Sequence, residues 1–276
     1  MMPVAEAIRD AAARLAPNSD TARLDAEVLM AHALGASRSD LLLRHMRDPV
    51  PEHFAALVER RALHEPVAYI VESQEFRGLP FRVTPAVLIP RGDSEVLVDA
   101  ALAVRPDAGR VLDCGTGSGA LLLATLDGLA DARGVGIDRS PTALAVAAGN
   151  AAALGLAGCS AFLQRDWNGA GWSAGLAGFD LILANPPYVE TSANLAPSVR
   201  EHEPAGALFA GTDGLDDYRT LVPALPGLLA SGGAALVEIG ATQAQAVGAL
   251  AEAAGFSVRV HRDLGGRDRV LELVAR

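Results

Sequence analysis

The sequence predicts a small all-helical domain followed by an α/β domain built on a doubly wound, mainly parallel sheet. Three observations carry this expectation. Up to about residue 75, apolar residues recur at helical spacing with no strand between them. From Gly109 onward, short apolar runs alternate with longer helical stretches, as in strand–helix–strand crossovers. The last two strand-like runs are separated only by Asp263-Leu264-Gly265-Gly266-Arg267-Asp268, too short for a helix, so they form an antiparallel hairpin at a sheet edge. A chain of 276 residues, 50% apolar and 20% charged, has material for one large domain, or one domain plus a small one, and is not globally disordered.

The helical part (1–75) begins with Val4-Ala7-Ile8 and continues with Leu24-Val28-Leu29-His32-Ala33, for which Asp20 is the expected cap and Gly35 the stop. Helical segments at 39–44 and 51–63 follow, and Pro66 is expected to end the run. Residues 76–90 read as a β-hairpin linker, from Phe76-Arg77-Gly78-Leu79-Pro80-Phe81. In the last part (91–276), strands are expected at 110–113, 134–138, 161–163, 180–184, 234–239, 257–262 and 269–274. Helices are expected at 121–129, 141–154, 218–230 and 242–254.

Composition removes several functions. All 23 basic residues are Arg, so a catalytic lysine, a Schiff base and a P-loop lysine are excluded. The formal net charge of −10 argues against binding nucleic acid through a broad basic footprint. Cys114 and Cys159 are too few for a disulfide framework or a multi-cysteine zinc site, and a reducing, cytoplasmic compartment fits them. Glu6, Arg9, Asp10 and Arg14 leave no room for a signal-peptide core. The uncharged stretch 220–237 is interrupted by Pro223, Pro226, Gly227, Gly232 and Gly233, so it reads as helix end, loop and strand rather than a membrane span.

Val111-Leu112-Asp113-Cys114-Gly115-Thr116-Gly117-Ser118-Gly119-Ala120 joins the first sheet strand to a helix. Gly115 and Gly117 permit a tight turn and the approach of a ligand to the backbone. Asp138, ending the next strand, sits where an acid would hold two ribose hydroxyls, in NAD or in S-adenosylmethionine alike. Asp166 and Trp167 follow the third strand; there an acid can accept from an adenine amine and an indole can cover the ring, or the indole simply packs in the core.

Asn185-Pro186-Pro187-Tyr188, after the apolar strand 180–184, decides between these cofactors. A residue before proline is driven to extended backbone, and proline offers an acceptor without a donor. A main-chain carbonyl and the Asn185 side-chain oxygen can therefore converge on one planar –NH2 group. Such a nitrogen is a poor nucleophile. Two acceptors aim its lone pair and stabilise the charge that grows on it during attack on a sulfonium methyl. Tyr188 can pack on the flat target. The motif points to methylation of an amide or aromatic amine, without a metal or an evident strong base. With its seven strands and reversed terminal hairpin, the chain has the outline of a class I S-adenosylmethionine-dependent, Rossmann-like methyltransferase.

Nearly end to end, the sequence resembles the PrmC/HemK family of release factor N5-glutamine methyltransferases. The likeness runs through Leu24-Asp25-Ala26-Glu27-Val28-Leu29, Glu65-Pro66-Val67-Ala68-Tyr69-Ile70, Glu75-Phe76, Leu88-Ile89-Pro90-Arg91, the glycine loop and Asn185-Pro186-Pro187-Tyr188. It continues in Glu201-His202-Glu203-Pro204, Asp213-Gly214-Leu215-Asp216-Asp217-Tyr218-Arg219 and Gly265-Gly266-Arg267-Asp268-Arg269. The resemblance implies transfer of a methyl group from S-adenosyl-L-methionine to the glutamine of the Gly-Gly-Gln loop in class I peptide chain release factors, leaving S-adenosyl-L-homocysteine. It implies cofactor contacts from Gly115, Thr116, Gly117, Ser118, Gly119, Asp138, Trp167 and Asn185. It places the glutamine amide on Asn185, Pro186, Pro187 and Tyr188, of which Asn185, Pro186 and Tyr188 are the catalytic set. The helical domain would grip the release factor, and the enzyme would act as a cytoplasmic monomer without nucleic acid or membrane. Where the family usually reads Arg-Pro-Glu-Thr-Glu, this chain has Arg91-Gly92-Asp93-Ser94-Glu95, a looser segment expected near the cofactor's methionine end. A related family acting on a ribosomal protein shares the Asn-Pro-Pro-Tyr motif and also lacks that proline, but the helical N-terminal pattern is closer to the release-factor enzymes. Adenine methylation of nucleic acid is the more distant alternative.

Among lesser candidates, His202 has no second histidine at ligand spacing and reads as a loop anchor rather than a metal ligand. Cys114 and Cys159 read as small core residues. Asp113 either orients the cofactor's amino group or anchors the loop. Arg44, Arg47, Arg60 and Arg61 either meet an acidic partner or form a solvated helix face.

Overall fold

The computed structural model describes residues 2–276 and divides into two units. The first runs to Ser73 and includes Leu195–His202; the second holds Gln74–Asn194 and Glu203–Arg276.

In the first unit, α1 (Val4–Leu15) and α2 (Ala22–Leu34) pack through Val4, Ile8, Leu15, Ala26, Leu29 and Met30, all buried. Gly35 ends α2 in the left-handed conformation, at φ 63°, as expected of a C-terminal glycine. The cap at the other end differs from expectation. Thr21, not Asp20, is the N-cap residue, and the hydroxyls of Ser19 and Thr21 donate to Asp25 (2.8 and 2.9 Å). Asp25 also accepts from Arg61 at 2.7 Å, so a buried carboxylate inside the first turn organises the helix start. Next come α3 (Arg38–Asp40), which passes into a π-turn at Leu41–His45, and α4 (Phe54–Ala62). Pro66 does not end the helical run. It precedes a further turn, α5 (Val67–Ile70), because a missing N–H costs nothing at a helix start.

The hairpin strands are β1 (Ser73–Phe76) and β2 (Leu79–Arg82). Arg77 (φ 51°) and Gly78 (φ 75°) make its two-residue turn, whose positive φ values match the strand twist. Helix α6 (Glu95–Val104) was not expected from the sequence. Its apolar residues, Leu97, Val98 and Ala101, are buried against the sheet.

The sheet contains β3 (Arg110–Cys114), β4 (Arg133–Asp138), β5 (Ser160–Gln164), β6 (Phe179–Ala184), β7 (Leu229–Glu238), β8 (Phe256–Arg262) and β9 (Asp268–Ala275). Its order is β5-β4-β3-β6-β7-β9-β8. All neighbours are parallel except β7–β9 and β8–β9, so the reversed hairpin lies at one edge. Alternate residues feed two cores. Val111, Leu181 and Leu183 meet α6, α7 (Ala120–Asp127) and α8 (Pro141–Ala153). Leu112, Ile182 and Ala184 meet the opposite face, with α10 (Asp216–Leu221), α11 (Leu225–Leu228) and α12 (Ala244–Ala253). Helix α9 (Pro197–Arg200) belongs to the first unit.

The single helix expected at 218–230 is broken into α10, a 3-10 turn at Val222–Ala224, and α11, as Pro223 and Pro226 require. The strand expected at 234–239 starts earlier, at Leu229, and passes through an irregularity opposite Phe179. Among the described residues, no helix is long and apolar enough to cross a membrane.

Candidate active site

The central strand β3 has β4 on one side and β6 on the other, and the direction of chain progression reverses between them. Ligands bind at the carboxyl ends of strands at such a switch point. A cavity of about 290 Å³ lies there, lined by the loops after β3, β4, β5 and β6.

Three glycines with positive φ carry the loop after β3: Gly115 (79°), Gly117 (54°) and Gly119 (82°). A Cβ on Gly115 would sit 3.0 Å from Cη2 of Trp167, so the indole lies directly on the loop backbone. A Cβ on Gly117 would meet nothing nearer than 4.0 Å, and its backbone faces open space in the cavity. Asp138 accepts from Gly117 N (3.0 Å) and, through its other oxygen, from Ser140 N (2.9 Å). Each oxygen keeps a lone pair for a further donor.

Asp113 does not line the cavity. It is fully buried and accepts from the Thr116 hydroxyl at 2.7 Å, which makes it a loop anchor. Burial pushes its carboxyl up to about 7, against the pull of the Thr116 hydrogen bond. Cys114 is buried beside it, and burial raises its thiol well above the usual range. Cys159 is half-buried, with its thiol on Leu156 O at 3.3 Å.

Strand β6 delivers Asn185 and Pro187 to the cavity wall. Pro186 and Tyr188 do not line it, and neither does Gly119, which caps α7 and packs near Leu123 and Ala147. Tyr188 is held from behind. Its carbonyl accepts from Gln243 Nε2 (3.1 Å), which also donates to Gly214 O (3.2 Å), while Gln243 Oε1 takes Gly240 N (2.9 Å). Burial raises the Tyr188 hydroxyl. Gly115, Thr116, Gly117, Ser118, Asp138, Trp167 and Asn185 all reach the cavity, as do Asp166 and Arg91. Trp167 both lines the cavity and joins the core, with its Nε1 donating to Asp217 at 2.7 Å.

Four supporting residues escaped sequence reading. Asn150, in the alanine-rich α8, donates to Ser118 O (2.8 Å) and exchanges hydrogen bonds with the Arg82 backbone, tying the hairpin to the glycine loop. Gln243 clamps Tyr188. Asp217 holds Trp167. Glu238, at the end of β7, is buried beside Asn185. The Asn150, Gln243 and Glu238 positions carry no local motif; Asp217 lies inside the Asp213–Arg219 run, where its role was not readable.

The remaining candidates fall outside the cavity. His202 Nε2 lies 3.3 Å from Leu63 O within the first unit. Arg61 is committed to Asp25, Arg60 to Glu65 and Arg44 to Asp40, while Arg47 is exposed. Glu203, buried, accepts from Arg91 and from Ile89 N, fixing the segment that leads to Gly92. Gly92 opens a 3-10 turn, follows an extended Arg91, and has free space around its Cβ position. Gly92→Pro is therefore expected to be tolerated and to stabilise the protein by about 0.4–1 kcal/mol through the unfolded chain. Thermal unfolding checks this, and a fall in Tm would contradict it.

The donor set suits an adenosyl-sulfonium ligand. The glycine cradle admits a ligand to the backbone, Asp138 and Asp166 offer acceptors for hydroxyl and amine groups, and Trp167 offers an aromatic wall. Doubly wound sheet, reversed terminal hairpin and switch-point cavity together define a class I S-adenosylmethionine-dependent methyltransferase.

Residues 6–71 match the PrmC N-terminal domain family and residues 106–208 a methyltransferase domain family. The release factor glutamine methyltransferase of Cereibacter sphaeroides is 46% identical over 278 residues, covering 98% of this chain and 98% of its own. That of Moorella thermoacetica is 44% identical over 280 residues, covering 97% of each. The chain belongs to the release factor glutamine methyltransferase family. For the fold alone, an O-methyltransferase family protein from Burkholderia thailandensis superposes with a TM-score of 0.50 at 20% identity, over 67% of this chain and 56% of that one.

Proposed function

We propose that this protein methylates the side-chain amide nitrogen (N5) of the glutamine in the Gly-Gly-Gln motif of class I peptide chain release factors, using S-adenosyl-L-methionine. The observation that carries this reading is the Asn185-Pro186-Pro187-Tyr188 corner at the end of β6, which brings Asn185 and Pro187 to the wall of the switch-point cavity. Gly115, Thr116, Gly117 and Ser118 would hold the cofactor's methionine portion, Asp138 its ribose, and Trp167 with Asp166 its adenine. When bound, the cofactor supplies a methyl carbon on a positively charged sulfur. The Asn185 Oδ1 and a proline-corner carbonyl accept the two amide hydrogens and aim the nitrogen lone pair at that carbon. With the cofactor bound, the nitrogen would bond to the methyl carbon while the electron pair of the broken C–S bond stays on sulfur, and it would then release a proton to water. Pro186 and Pro187 set the backbone, and Tyr188 backs the corner. The helical unit grips the release factor, and the enzyme works as a cytoplasmic monomer without nucleic acid.

Mass spectrometry of release factors, ribosomal proteins and adenine-containing oligonucleotides after incubation with cofactor tests this. A single methyl on the Gly-Gly-Gln peptide is expected, and methyl only on the other substrates would refute the reading. Asp138→Ala removes the partner of two backbone N–H groups and one charged acceptor for the ribose. Charge-assisted hydrogen bonds contribute about 1.5–3 kcal/mol, so cofactor Kd is expected to rise roughly 10–100-fold by calorimetry. An unchanged Kd would remove Asp138 from the binding set.

A further inference from the structure

Strands β6 and β7 are parallel neighbours, with Ala184 opposite Val237. One position further along come Asn185, just past the end of β6, and Glu238, the last residue of β7, at the cavity end of the sheet. Glu238 is only 2% exposed, and its Oε2 has no hydrogen-bond partner. The Tyr218 hydroxyl donates to its main-chain carbonyl at 2.8 Å, which pins the backbone there. The Ser94 hydroxyl and the Asn185 carboxamide both face its carboxylate and pull its pKa down. Arg269 and Asp93 also face it, as do the hydroxyls of Tyr188 and Tyr218.

A carboxamide has an accepting end and a donating end of nearly equal size, and sterics alone do not choose between them. The choice matters at Asn185. Only its oxygen can accept from a substrate –NH2, whereas its own –NH2 turned outward would repel it. A carboxylate accepts and does not donate, so it binds the nitrogen end. We infer that Glu238 is a positioning residue that holds the Asn185 carboxamide with Nδ2 inward and Oδ1 toward the substrate. The inference rests on the proposed amide methylation. Burial brings the Glu238 carboxyl up to about 7, opposed by Ser94, Arg269 and Asn185 and assisted by Asp93. Once protonated it can donate, and it then favours the reversed carboxamide. Transfer is thus expected to fall as pH drops through about 7.

The test compares wild type, Glu238→Gln, Asn185→Asp and the double variant. Glu238→Gln is expected to lower kcat about 3–10-fold, to leave cofactor Kd within about threefold, and to abolish the acid limb. Asn185→Asp sets two carboxylates together. Adding Glu238→Gln restores a donor facing an acceptor, so the double variant is expected to exceed Asn185→Asp by about tenfold at pH 8.5, within the coupling measured for groups in contact. A purely structural Glu238 gives additive losses and an unmoved acid limb, and that result overturns the proposal.

A substrate-independent measurement separates the two readings. The Asn185 side-chain –NH2 resonance, identified by its loss in Asn185→Asp, should be protected from exchange and titrate near pH 7 in wild type only. An unprotected, non-titrating resonance overturns the positioning role even if release factor is methylated. Titration without release-factor methylation supports that role and refutes the substrate instead.

Discussion

Asn185→Ala is expected to reduce methyl transfer to release-factor glutamine by about 10²–10³ in kcat, the usual cost of deleting one preorganised polar group at a reacting centre. The variant removes the side-chain carbonyl of the Asn-Pro-Pro-Tyr corner, which in the proposed mechanism leaves the target nitrogen with one main-chain acceptor. The glycine loop, Asp138 and Trp167 are untouched, so cofactor affinity should change far less than kcat. Single-turnover rates followed by mass spectrometry, with calorimetry for the cofactor, check both halves. A variant within tenfold of wild type would mean that the side chain does not orient the nucleophile.

Gly214→Ala should be nearly as damaging although Gly214 does not line the cavity. A Cβ there would sit 2.3 Å from the Tyr188 carbonyl oxygen and 2.8 Å from Gln243 Nε2. The first neighbour is backbone and cannot swing aside. The φ of 70° adds about 1–2 kcal/mol for any residue with a Cβ. The strain falls on the clamp in which Gln243 joins Tyr188, Gly214 and Gly240. Displacing the corner by about 1 Å is expected to cost about 100-fold in kcat. Kinetics and a Tm measurement distinguish this from unfolding: a folded variant with near-normal kcat would show that the clamp is dispensable.

The sheet was legible because buried parallel strands are short apolar runs punctuated by glycine and proline, and the terminal hairpin followed from the shortness of residues 263–268. Elements whose conformation rests on distant packing were not legible. Helix α6 is apolar on more than one side, and β7 reaches back to Leu229 only because it can pair with Phe179. The glycine loop, Asp138 and the proline corner were readable as candidates because each is marked by its own backbone chemistry or its position at a strand end. Asn150 was not, since its partner Arg82 lies 68 residues away and nothing near it hints at a polar role. Asp113 resisted for a different reason: its type fits both an anchor and a ligand, and only full burial against Thr116 separates them.

The residues themselves therefore determined the class of chemistry: two prolines that cannot donate, an amide that can accept, and a glycine turn open to a cofactor are properties of the local chain. Which groups stand behind them was decided by the tertiary structure. Glu238 reaches Asn185 only because β7 lies beside β6, and Gln243 reaches Tyr188 only because the start of α12 returns to that strand end. Pairings of that kind are set by crossover topology and core packing, which no run of neighbouring residues records.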